Sequence, residues 1–236
     1  MPPTAKKSKI SPTDFANLYD GFNASVSRFD CGRKCAPLND GEPVCCSTQN
    51  AVPVVHKVEW ELLKTRTDLW SKFKPYDYST RMIVEELTSD CMAIHCKGAR
   101  HCERDNRSLS CRAFPFFPYL TREDAFVGLA CFWGFEDRCW VQSNLQIVDR
   151  RYVRQFVAAY ELLFAFDPEE RRANWEESVS ARAVFARWNR PMPLIGRDGE
   201  FLLVEPRTHR IRPSHWREYK RHENFAKQAR AEAARR

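Results

Sequence analysis

The sequence predicts a mainly α-helical fold with a small β content, an α+β class. An irregular, cysteine-rich domain comes first and a helical C-terminal part with one β-hairpin follows. Three observations predict this. Residues 149–166 carry a broad apolar stripe of Tyr152, Val153, Phe156, Val157, Tyr160, Leu163 and Phe164 at helical spacing. Asp167-Pro168-Glu169-Glu170 reads as a second helix start, with Asp167 as N-cap, Pro168 in the first turn and two glutamates at the positive end. Asp198-Gly199 is a two-residue turn signal inside an apolar stretch.

Taken in order, residues 1–12 are rich in Pro, Lys and Ser and read as disordered. Residues 13–50 show few periodic apolar positions and turn residues such as Asn39-Asp40-Gly41, so irregular loop is expected. Val55, Val58, Leu62 and Leu69 place a helix within 54–70. Within 71–90, Met82-Ile83-Val84 reads as a short strand. Pro115 and Pro118 are expected to break regular structure in 91–120. The second helix runs to about Arg187 with Trp175, Val179 and Ala183 on one side, Pro191 and Pro193 end it, and 194–204 form the hairpin. The divisions are therefore 1–12, a cysteine-rich domain over 13–145, a helical part with hairpin over 146–211, and a basic tail over 212–236.

Hydrophobic residues make up 43% of the 236 and charged residues 29%, which excludes a disordered chain and suits a protein with a core. Apolar runs are too short to span a bilayer, and no apolar stretch follows the basic N-terminus as a secretory signal requires. The net charge is +7, and the tail 212–236 holds eight Lys or Arg against three Glu. A solvated helix is the simpler reading of that tail. Nucleic acid is disfavoured as a partner, because no recognition motif accompanies the charge.

The ten cysteines all lie within residues 31–139. In a chain large enough to build a core and with no export signal, grouped cysteines point to metal ligands in a reducing cytoplasm. Disulfides and plain burial are the competing readings, burial being the stronger one for Cys131 and Cys139. Thiolates are soft donors that select zinc, copper(I) or iron–sulfur clusters. Cys31 and Cys35, four apart, can serve one centre from one loop, and Cys45 and Cys46 add sulfur from nearby. Adjacent side chains alternate in extended chain, so Cys45 and Cys46 need not serve the same centre. Cys91, Cys96, Cys102 and Cys111 can close the site from elsewhere in the fold. Four thiolates suffice for zinc or an iron–sulfur cluster. Arg112, next to Cys111, is expected to offset thiolate charge and donate to sulfur. His56, His95 and His101 are candidate nitrogen ligands, and Phe114, Phe116, Phe117 and Tyr119 a candidate dry shell.

At these residues the chain resembles a family. Cys31-x3-Cys35-x9-Cys45-Cys46 is followed by Val54-Val55 and Glu59, then by Cys91 and Cys102. Next comes the segment Arg107-Ser108-Leu109-Ser110-Cys111-Arg112-Ala113-Phe114-Pro115-Phe116. Over about residues 28–140 this resembles the bacterial cysteine-cluster proteins described as a zinc- or iron-chelating domain. Where that family commonly has Ile-Tyr, this chain has Glu103-Arg104-Asp105, and Arg107-Ser108 stands for its Arg-Pro. The resemblance implies bound zinc or iron and a bacterial protein. Some members look related to flagellin lysine methylases, which implies a methyl-transfer activity, although no glycine-rich nucleotide loop supports it here.

The expectation is a cytoplasmic metal-binding protein, with a metal ion as its partner and a protein partner left open. A cluster-dependent enzyme (a lysine methyltransferase or an iron–sulfur oxidoreductase) is the alternative, and a nucleic-acid module acting through the tail is a third. No Ser-His-Asp set, HExxH or P-loop points to another chemistry.

Overall fold

The computed structural model describes residues 10–220 and 222–233. Of the expected disordered segment 1–12, residues 1–9 lie outside the described ones. Ile10 is buried, and Ser11 caps the first helix, α1 (Pro12–Gly21), through a reciprocal box with Asp14. A short helix α2 (Cys31–Cys35) follows within the stretch expected to be irregular. Strand β1 (Val54–His56) runs directly into α3 (Lys57–Arg66), so the helix expected over 54–70 begins as a strand. Strand β2 (Trp70–Lys72), helix α4 (Tyr78–Glu85) and strand β3 (Cys91–Cys96) come next. Met82-Ile83-Val84, expected as a strand, lies inside α4, because Asp77 and Thr80 form a capping box that nucleates a helix there.

Helix α5 (Leu109–Ala113) leads into β4 (Phe116–Leu120) and β5 (Phe126–Cys131). The helices α6 (Arg150–Phe166) and α7 (Pro168–Arg187) follow, with Asp149 and Asp167 as their N-caps. Strands β6 (Met192–Gly196), β7 (Phe201–Val204) and β8 (Ile211–Pro213) precede α8 (Glu223–Ala233). The basic tail thus includes β8 and α8, while its residues 221 and 234–236 lie outside the described ones.

The fold class differs from the expectation of a mainly α protein with small β content. Two antiparallel sheets are present, one in the order β1-β3-β2 and one in the order β4-β5-β6-β7-β8. The first escapes periodicity because two of its strands are three residues long. The second was hidden by proline. Pro118 sits in β4, an edge strand, where a missing N–H is tolerated. Pro193 lies in β6 beyond its last pair with β5, Ala130↔Leu194. This sheet also joins what the sequence divided: β4 and β5 precede residue 145, and β6–β8 follow it.

The α6 stripe is buried as expected, and it packs with α1 and with Phe116 of β4 in the main core. The buried face of α7 is not the expected one. Val179 is exposed, and the helix instead presents Asn174, Ser178, Ala181, Arg182 and Phe185. Polar chemistry explains this. Leu120 N–H donates to Ser178 Oγ at 3.0 Å, and Arg182 Nη1 donates to Leu120 O at 2.6 Å, so α7 satisfies the free edge of β4. No helix among the described residues is long and apolar enough to cross a membrane.

Candidate functional site

Helix α2 sets Cys31 and Cys35 one turn apart, on one side of the helix. Asp30 caps it, accepting from Arg33 N–H at 3.3 Å. Gly32 favours what comes next: a Cβ there would stand 3.0 Å from Pro43 Cγ, a tight contact. Its absence lets the Pro43 segment lie against α2 and carry in a 3-10 turn, Val44–Cys46. In that turn Cys45 and Cys46 do not diverge as they would in extended chain; their Sγ atoms are 3.9 Å apart.

The other sulfurs come from further along the chain. Cys96 ends β3, and Gly98 N–H donates to its Sγ at 3.3 Å. Cys102 follows a 3-10 turn over Ala99–His101. Cys111 lies in α5, where its N–H donates to the N-cap Ser108 Oγ at 3.2 Å. Cys46 is the hub of this group. The thiols of Cys35, Cys45, Cys96, Cys102 and Cys111 all feel its charge. Cys31 joins through Cys35, and Cys139, which sequence reasoning left near the apolar wall, through Cys31, Cys35 and Cys45. All ten cysteines are free thiols.

Burial dominates most of these titrations. It pushes Cys31 up to about 11 and Cys111 and Cys139 up to about 12. Cys45 is raised first by its hydrogen bond with Cys46, and burial adds to this. Cys46 is lowered by that same hydrogen bond, with help from Arg107. A bound cation would reverse this pattern, because a coordinating thiol gives up its proton.

Cys91 stands apart from this group. It pairs with His56 across β1 and β3, and the charges acting on it are Glu170, Asp167 and Asp90. His95 and His101 are exposed, and His56 Nδ1 is used to accept from Val58 N–H at 3.1 Å.

Arg112 does not serve sulfur as expected. It is 5% exposed and donates to four carbonyls: Arg107 O at 2.9 Å, Asp105 O at 2.6 Å, Tyr19 O at 3.1 Å and Phe22 O at 2.5 Å. Its guanidinium also lies 4.3 Å from the Tyr19 ring centroid. α5 turns its side chain away from the sulfurs and into the end of α1. Arg107 helps lower Cys46 and opposes the burial-driven rise of Cys102 and Cys111, and Arg104 opposes that of Cys31 and Cys102. The sequence signal for Arg107 was its position one turn before Cys111.

Two cavities adjoin the site and share Val54, Ser110 and Phe132 as walls. One, of about 370 Å³, reaches Cys45 and Cys111 and is otherwise largely apolar, with Pro53, Ile83, Phe114 and Phe135. The other, of about 180 Å³, contains Glu59, Cys91 and Glu170. The donor set of the thiol group suits a soft metal. Among the described residues, however, no three His, Cys, Asp or Glu side chains are disposed to hold a single metal ion. No family model, curated protein or solved structure matches this chain.

Proposed function

We propose that the chain is a metal-binding protein whose thiols hold an iron–sulfur cluster or zinc, with Cys31, Cys35, Cys45, Cys46, Cys96, Cys102 and Cys111 as the donor pool. What supports this reading is the contact of Cys45 and Cys46 at 3.9 Å, with thiols of Cys35, Cys96, Cys102 and Cys111 within electrostatic reach of Cys46. Burying free thiols beside one another has no packing advantage over valine or alanine, whereas soft cations need such a set. An iron–sulfur cluster takes thiolates from around a body of several irons, so it demands less convergence on one point. A single zinc ion needs four donors converging on one point. Unpaired thiols in this number suit a reducing compartment, so we place the protein in the cytoplasm.

Anaerobic purification, metal and sulfide analysis and a visible spectrum test the reading. Iron with sulfide and absorption near about 400 nm that fades on reduction is the expected result. Stoichiometric zinc in a colourless protein would replace the cluster with an ion. Protein free of both metals would overturn the proposal.

A second reading, a cluster-dependent enzyme, is favoured by the apolar cavity that reaches Cys45 and Cys111. A pocket opening on two donor sulfurs gives a substrate access that a purely structural centre does not need. A spectral change of the loaded protein on adding a small apolar compound tests it, and an unchanged spectrum counts against it.

A further inference from the structure

The smaller cavity, beside β1, has a chemistry of its own. Its volume is about 180 Å³, and its walls combine the carboxyl groups of Glu59, Asp167 and Glu170 with the rings of Phe15, Phe116 and Tyr160. No lysine or arginine lines it. Arg112, which acts on Glu59 through space, is committed to backbone carbonyls.

Two polar atoms on buried side chains there make no hydrogen bond to protein among the described residues. Glu59 is 2% exposed and accepts from Tyr19 Oη and Leu109 N–H, each at 2.6 Å, both on Oε1. Its Oε2 makes no hydrogen bond among the described residues. Tyr160 is 6% exposed, and its hydroxyl also makes none among the described residues, although Glu59 and Glu170 are both close enough to act on it. Glu170 is oriented by Asn174 Nδ2, which donates to Oε1 at 2.9 Å. These groups line the cavity with accepting capacity to spare, so a ligand that supplies N–H donors and positive charge is stabilised here.

We propose that this cavity binds a small alkylammonium ion, its charge set against Glu59 and Glu170 and its chain among the aromatic rings. The aromatic faces add cation–π attraction to the carboxylates. A divalent metal fits less well, because no three ligating side chains in the described residues converge on one point. The volume, a little above that of a cavity that takes benzene, limits the ligand to about five to seven heavy atoms. This inference concerns a separate site and does not rest on the thiol group holding a metal.

Calorimetric titration of the full chain at mildly alkaline pH tests it, with n-butylammonium chloride as the probe. The matched controls are n-butanol, butyrate and magnesium chloride. The expected result is one saturable site for n-butylammonium, at least about tenfold weaker binding of n-butanol, and none of butyrate or magnesium. Glu170→Gln should weaken n-butylammonium by about tenfold or more, and Tyr160→Phe should weaken it while keeping the ring. Equal binding of n-butanol, magnesium in place of the amine, or no saturable heat with n-butylammonium would overturn the proposal. The comparison of ligands on the unaltered chain decides the matter even if a variant fails to fold.

Discussion

The Tyr19 hydroxyl donates to Glu59 Oε1 at 2.6 Å, tying α1 to α3 inside the core, and Leu109 N–H brings α5 to the same oxygen. One carboxyl oxygen therefore joins three helices that are distant in sequence. Burial raises the Glu59 carboxyl to about 7, against an ordinary value of 4.5, and the two hydrogen bonds only partly oppose the rise. The folded chain then binds this proton more tightly than the unfolded chain. The resulting stability is complete below pH 4.5 and is lost as pH rises through about 7. The full loss is on the order of 3 kcal/mol. Glu59→Gln keeps an acceptor without the charge. Urea melts of this variant should lose that pH dependence between mildly acidic and mildly alkaline buffer, and they should show the greater stability relative to wild type at the alkaline end.

Arg112 is predicted to matter for folding and not for sulfur. Replacing it with Met leaves the carbonyls of Tyr19, Phe22, Asp105 and Arg107 without their donor. That should lower stability by at least about 3 kcal/mol, and Arg112→Lys should recover little because lysine lacks the planar fork. Chemical denaturation measures both. If Arg112→Met unfolds at the wild-type midpoint, the clamp described for this residue is wrong.

The adjacent thiols Cys45 and Cys46 should differ in reactivity. In the metal-free, reduced protein Cys46 carries the lowered thiol and Cys45 the raised one. The thiolate is the nucleophile, so limited iodoacetamide should label Cys46 before Cys45 in a peptide map. Arg107→Gln removes a charge that lowers Cys46, Cys102 and Cys111, and labelling of all three should slow. Labelling of Cys45 ahead of Cys46 would contradict this order.

How much of this was legible depended on whether the signal was local. The α6 helix was, because its cap and its stripe are contiguous: expected over 149–166, it runs Arg150–Phe166 behind Asp149. So was the start of α7, where Asp167 Oδ1 accepts from Glu169 N–H at 3.0 Å and Glu170 N–H at 3.2 Å. The Asp198-Gly199 turn was also correct, with Gly199 at φ 87°. The sheets were not, because what identifies β4 as a tolerant edge for Pro118 is α7, which begins some fifty residues later. Of the cysteines grouped by sequence, Cys35, Cys45, Cys96, Cys102 and Cys111 lie within electrostatic reach of Cys46, and Cys31 within reach of Cys35. Cys91, grouped with them, pairs instead with His56 through strand register, and Cys139, expected in the apolar wall, comes near Cys35 only in the folded chain. Arg112 misled for a related reason: adjacency in sequence did not reveal that α5 points it at Tyr19 and Phe22.

The separation of Cys91 from the other sulfurs gives the sharpest test of the donor pool. Cys91 belongs to the carboxylate-lined cavity and feels Glu170, Asp167 and Asp90, whereas Cys111 feels Cys46, Cys102 and Cys96. Serine at either position keeps the size and removes the soft donor. In anaerobically prepared protein, Cys91→Ser should retain the wild-type metal content per chain. Cys111→Ser should lose most of it, or hold it with a faster loss to a chelator. Circular dichroism on both variants separates a ligand effect from unfolding, since metal binding and folding are linked in such sites. Metal loss in a folded Cys91→Ser protein would move that residue into the donor set and refute the division of the two sites.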